Sequence, residues 1–150
     1  MATRLASAVV AILLTVPAAA QKVIDGDTLQ LDGTSYRLHG IEAPDRSQIC
    51  ADGWPAGYEA REYLRQLTEG KEVTCVSIVG KHDGETVAIC RADGVDLAGA
   101  MVTAGRAFAF VPYSARYVVQ ESAAASAGRG VHGHECLAPW VWRTQLKRTR

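Results

Sequence analysis

Four cysteines in a chain of 150 residues, Cys50, Cys75, Cys90 and Cys136, constrain this sequence more than any other feature. They follow a segment in which Arg4 precedes a nearly unbroken apolar run, residues 5–16, and Pro17-Ala18-Ala19-Ala20 offers a small-residue cleavage site. Charge, apolar run and alanines in that order make the pattern of a secretory leader. The run is shorter than the roughly 20 residues that a membrane-spanning helix needs, so no stable membrane anchor is expected. Residues 1–20 are read as a signal peptide, 21–136 as one exported domain and 137–150 as a tail. In an oxidising compartment an even number of cysteines predicts bridges, and four allow three connectivities.

Local pattern selects among the three. Cys75 lies in the β-rich run 72–79 and Cys90 in the run 86–92, with a polar turn over 80–85 between them. Two such runs read as a hairpin, which makes Cys75–Cys90 a cross-strand bridge and leaves Cys50–Cys136 to tie down the tail. A zinc site competes, because His132-Gly133-His134-Glu135-Cys136 places three ligand types within five residues. Against it, a lone thiolate in an oxidising compartment is expected to be bridged, and no C-x-x-C pair stands elsewhere.

Turn residues and alternation mark strands at 22–25, 28–31 and 35–40, with a turn at Asp32-Gly33-Thr34. Residues 42–54 read as a loop. A helix is expected from near Pro55, with Tyr58, Ala60, Tyr63, Leu64 and Leu67 at helical spacing and Gly70 as its stop. After the cysteine hairpin, a turn at Asp93-Gly94 leads to a short helix over 97–103, capped by Asp96 and closed by Gly105. Phe108, Phe110 and Val111 are expected to be buried, a last helix spans 115–127, and the basic end, 147–150, reads as disordered rather than as a nucleic-acid arm. Strands, a helix, a hairpin and two more helices describe an α+β domain: a small five-stranded OB-fold β-barrel with about three helices.

Sixteen basic residues balance sixteen acidic ones, so no global positive field attracts nucleic acid, and any phosphate-binding patch must be local. The acidic residues that stand out are Asp25-Gly26-Asp27-Thr28 and Glu42-Ala43-Pro44-Asp45. If the strand after Gly33 pairs back on residues 28–31, Asp27 and Glu42 emerge at one end of the hairpin. Two carboxylates with backbone carbonyls there suit a hard cation, though the same residues also make ordinary Asx turns.

Val23-Ile24-Asp25-Gly26-Asp27-Thr28, then Tyr36-Arg37-Leu38 and Ile41-Glu42-Ala43-Pro44-Asp45, resemble the signature of the staphylococcal nuclease (thermonuclease) family. The likeness continues through Val87-Ala88, Asp93-Gly94-Val95-Asp96-Leu97, Ala100 to Gly105, Ala107-Phe108-Ala109-Phe110 and Gly130, spanning residues 22 to about 135. The resemblance implies an OB-fold nuclease that hydrolyses DNA and RNA with one calcium ion. Asp27, Glu42 and the carbonyl of Ala43 would hold the ion, Arg37 would grip the phosphate, and Asp45 would orient the attacking water. Lys81 and Tyr113 are the candidate substrate-binding residues, Tyr113 by stacking on a base, as Tyr117 also could.

Three departures fall on the chemistry. Where the family carries a second arginine as a phosphate clamp, this chain has Glu85, and Lys81, His82 and Arg91 stand near but not at that position. Glu42 replaces the usual aspartate and Asp45 the usual glutamate, one methylene longer and one shorter. The chain also leaves only residues 21–24 before the acidic turn if the leader ends at Ala20. The first reading is therefore an exported, monomeric, calcium-dependent nuclease with reduced activity. Its rivals are a catalytically inactive OB module that binds single-stranded nucleic acid or a protein, and a disulfide-rich structural or inhibitor module without an acidic site.

Overall fold

The computed structural model describes residues 21–148, so the segment 1–20, read as a signal peptide, and residues 149–150 lie outside it. Strands β1 (Gln21–Asp25), β2 (Thr28–Leu31) and β3 (Thr34–Leu38) form an antiparallel meander, and β4 (Ile41–Glu42) follows. Helix α1 (Ala56–Thr68) leads to the long hairpin of β5 (Val73–His82) and β6 (Glu85–Ala92), and β7 (Val95–Asp96) pairs back on β6. Helix α2 (Leu97–Thr103), β8 (Phe108–Ala109), α3 (Val118–Ser126), a 3-10 turn (Gly130–His132) and α4 (Pro139–Arg148) complete the described chain.

The sheet runs β1-β2-β3-β6-β5, an open path of five strands with β7 on its flank, while β4 pairs with β8 separately. This is a mixed α+β fold of the OB-like kind, with a parallel β3–β6 contact at its centre. Asp-Gly pairs set three of the hairpins. Asp32, Asp83 and Asp93 all have φ near +46 to +49, and Gly33, Gly84 and Gly94 lie at +82 to +84. Two consecutive left-handed residues make the turn whose twist matches that of the flanking strands, which is why Asp-Gly is selected there. The turn of the cysteine hairpin is thus Asp83-Gly84, tighter than the span 80–85 suggests, and β5 continues to His82.

The core lies between the sheet and the helices. On α1, Ala56, Ala60, Leu64 and Thr68 recur every four residues and are 0–4% exposed. Opposite them lie Leu29, Leu38, Ala88, Cys90 and Met101. Cys75 and Cys90 are direct cross-strand partners with Cα atoms 4.0 Å apart, and Cys50 and Cys136 are bridged with Cα atoms 4.4 Å apart. Both fall within or near the range that a disulfide spans. Asp96 caps α2 by accepting from the Gly99 N–H at 3.4 Å.

Some expectations require correction. Four α-helices stand among the described residues, and the last, over 139–148 of the tail, makes residues 147 and 148 of the basic end helical where that end was expected to be disordered. Pro139 is buried at the start of this helix, and the partly exposed Trp140 packs 5.9 Å from the Phe108 ring and 5.3 Å from Phe110. Val111 is 58% exposed, because β8 ends at Ala109 and Pro112 turns the chain away. Tyr58 also faces solvent, two residues from Ala56 and from Ala60 and so on the opposite side of α1 from the buried stripe. Helix α3 begins at Val118, after Tyr117 has turned inward.

Candidate functional site

The β1–β2 bend carries the acidic turn into the molecule. A side chain at Gly26 would meet Ala60 Cβ at 2.7 Å and Ala43 Cβ at 2.8 Å, so the bare glycine lets the turn lie directly on α1 and on the segment after β4. Asp27 is buried at 5% exposure. Its Oδ2 accepts from the Ala43 N–H at 2.9 Å and lies 3.3 Å from Arg37 Nη2, and its Oδ1 accepts from Thr28 Oγ1 at 3.2 Å. A buried carboxylate is tolerable only with such partners. The β2–β3 register sets Arg37 opposite Thr28, and the Leu38 N–H donates to the Asp27 carbonyl at 2.8 Å, so arginine and aspartate meet by strand pairing.

Glu42, 6% exposed, ends β4 on the far side of the same cleft. The cleft, about 150 Å³, is lined by the carboxylates of Asp25, Asp27, Glu42, Asp45 and Glu85 and by the guanidinium groups of Arg37 and Arg143. Ala43 is also in its wall. Parallel pairing of Arg37 with Val87 brings Glu85 alongside, with its carboxylate 4.0 Å from Arg37 Nη1. The structure therefore gathers Asp27, Arg37, Glu42, Ala43, Asp45 and Glu85 in one place. Lys81 and Tyr113 sit apart, in a second cavity of about 290 Å³ that shares Arg37 with the first. His82 joins them there, its Nδ1 3.4 Å from the Tyr113 hydroxyl. Tyr117 does not belong to either: it is buried, with its hydroxyl donating to Asp96.

A family model described as Staphylococcal nuclease homologue matches residues 35–131, about two-thirds of the chain. The chain belongs to that family. It is also 32% identical over 91 residues to "Succinoglycan biosynthesis protein ExoI" of Rhizobium meliloti (strain 1021), a match covering 57% of this chain. The chain spans about half the length of that relative, 48%.

In this staphylococcal nuclease homologue the electrostatics of the cleft are set by crowded carboxylates. Burial pushes the pKa of Glu85 up; Arg37 opposes the shift and Asp27 adds to it. Burial likewise raises Asp25, against the Gly26 N–H that hydrogen-bonds it and with the Asp27 charge adding to the rise. Arg46 donates to the Ile24 carbonyl at 2.7 Å and braces the acidic turn from outside.

Arg143 is the site residue that the sequence pattern missed. Its Nη1 donates to Asp45 Oδ2 at 3.0 Å and its Nη2 contacts Glu42 Oε1 closely. Burial draws its pKa down, but Glu42 and Asp45 outweigh that and the net shift is upward. The signal available in the sequence was the Cys50–Cys136 pairing, which places the residues after 136 next to the loop that follows Asp45.

The competing zinc arrangement is not formed. Cys136 is bridged to Cys50, His134 Nδ1 pairs with Asp52 at 2.7 Å while its ring stacks on Trp54 at 4.3 Å, and His132 packs against Phe108. Among the described residues no three His, Cys, Asp or Glu side chains converge to hold a metal by themselves. The cleft offers oxygen donors only, which suits a hard cation, and one between Asp27 and Glu42 would draw on backbone oxygen and water as well.

Proposed function

We propose that this chain is a phosphodiester hydrolase acting on DNA or RNA, with calcium held by Asp27, Glu42 and the Ala43 carbonyl. The observation that carries the reading is the placement of the Arg37 guanidinium, braced on buried Asp27 at 3.3 Å, in the same cleft as Glu42. A planar fork of donors fixed in position is suited to gripping a phosphate and stabilising charge as it develops. Asp45, at the cleft mouth, orients or deprotonates the attacking water. The cation, when bound, polarises the phosphoryl oxygen. The strand of nucleic acid runs on into the adjoining cavity, where Lys81 meets a phosphate and Tyr113 offers a face for a base.

Glu85 reduces this activity, since its carboxylate competes with phosphate for Arg37. The same contact favours a second reading, an inactive module that binds single-stranded nucleic acid or a protein. Export fits the pair of disulfides, and no helix among the described residues is long and apolar enough to cross a membrane.

Assay of calcium-dependent cleavage of single-stranded DNA by the native protein and by Glu85→Arg separates the readings. Cleavage by the native protein, rising about 10²-fold in the variant, supports a slow nuclease. Cleavage by the variant alone supports the binding module, and cleavage by neither overturns the hydrolase reading.

A further inference from the structure

Resting on the reading of the cleft as a cation site, we infer that Arg143 is a tethered counter-ion that a divalent cation must displace from Glu42 before it can bind. The ion pairs divide cleanly. Arg37 serves Asp27 and Glu85, while Arg143 serves Glu42 and Asp45. A cation that binds Glu42 through Oε1 competes directly with this guanidinium, and one that binds through the other carboxylate oxygen still meets its positive charge across the same group. Its parallel donors span two carboxylates three residues apart in sequence, which a single ammonium could not match.

The arginine arrives by a strap rather than by the sheet. The Cys50–Cys136 bridge pins the chain three residues before α4. Gln48 Nε2 donates to the Leu137 carbonyl at 2.7 Å, and the Ala51 N–H donates to the Glu135 carbonyl at 3.0 Å. Trp140 then packs on Phe108 and Phe110, which orients the next turn of α4 so that Arg143 reaches over the cleft. The base of the strap is thus covalently fixed, whereas Arg143 itself is held by ion pairs and its side chain is 41% exposed. It can swing into solvent without unfolding the helix. With the cleft free of metal, Arg143 neutralises buried Glu42 and pairs with Asp45; with metal on Glu42, like-charge repulsion across that carboxylate drives it out.

Calcium titration of the oxidised mature protein by calorimetry tests this. Arg143→Gln is expected to bind calcium about tenfold more tightly than the native protein, and Arg143→Lys to fall between them. Equal or weaker binding by Arg143→Gln overturns the inference while leaving the cation site standing. Absence of calcium binding in both native protein and variant overturns the inference and the cation half of the proposed function together. A second readout needs no variant in the titration: the Arg143 Nε–Hε signal in nitrogen-15 NMR should shift along the same calcium isotherm, and a stationary signal beside bound calcium refutes displacement.

Discussion

Replacing Cys50 and Cys136 together by serine should destabilise this protein more than replacing Cys75 and Cys90. The first bridge closes a loop of 86 residues and the second a loop of 15. In the chain-entropy account, a cross-link removes about 2.1 + 3.0 ln n cal/mol/K from the unfolded chain. At 25 °C this gives about 4.6 kcal/mol for the bridge with separation 86 and about 3.0 kcal/mol for that with separation 15. For a domain of this size the larger loss lowers Tm by roughly 15 °C. The two pairs should also differ in where the loss falls. Cys75 and Cys90 join strands already paired along their length, whereas Cys50–Cys136 anchors the strap that carries α4. Urea unfolding followed by tryptophan fluorescence measures the totals, and amide exchange locates them, with α4 predicted to lose protection first in the Cys50/Cys136 variant. A Cys75/Cys90 variant as unstable as the Cys50/Cys136 variant, or unchanged protection in α4, would refute the reasoning.

Tyr117→Phe removes a buried hydroxyl that donates to Asp96 at 2.9 Å, and Asp96 also caps α2; a loss of about 1.5–3 kcal/mol in denaturant unfolding is expected, and less than half a kcal/mol contradicts the assignment. Gly26→Ala forces a methyl onto Ala60 and Ala43, which should cost about 1–3 kcal/mol and weaken calcium binding by moving Asp27. His132 is held below its ordinary pKa of 6.5 by burial, partly opposed by Glu121. The unfolded chain therefore takes up the proton first, and stability falls as pH drops through and below about 6.5. Tm scans between about pH 7 and pH 5 should show a steeper decline for the native protein than for His132→Phe, and parallel declines would exclude His132 as the cause.

Strand pairing is local, so the meeting of Asp27 and Glu42 was legible in the sequence, whereas Arg37, Ala43, Asp45 and Glu85 were singled out only by the family resemblance. Once Asp32-Gly33 is recognised as a hairpin turn, Thr28 must face Arg37, and Asp27 and Glu42 follow at the same end. The Cys75–Cys90 bridge was legible for the same reason, since its two strands flank one turn. Asp96 as a cap and Gly70 as a helix stop are likewise decisions made within a few residues.

Arg143 could not be read in this way. It lies 101 residues from Glu42, and the charged segment around it resembles an exposed end until Trp140 docks on aromatic residues from another part of the chain. Val111 misled for a related reason: the apolar run 107–111 continues past Ala109, where β8 ends its pairing with β4. Glu85 was seen at its position, but its contact with Arg37 depends on the parallel β3–β6 register, which no local pattern encodes.

Arg37, braced by buried Asp27, lies in the acidic cleft, where the proposed function has it grip a phosphodiester. The initial rate of cleavage of a single-stranded DNA oligonucleotide, at saturating calcium, tests it most directly in native protein and in Arg37→Gln. Measurable cleavage is expected of the native protein, and a rate lower by about 10²-fold or more in the variant. A variant that cuts as fast as the native protein would contradict it.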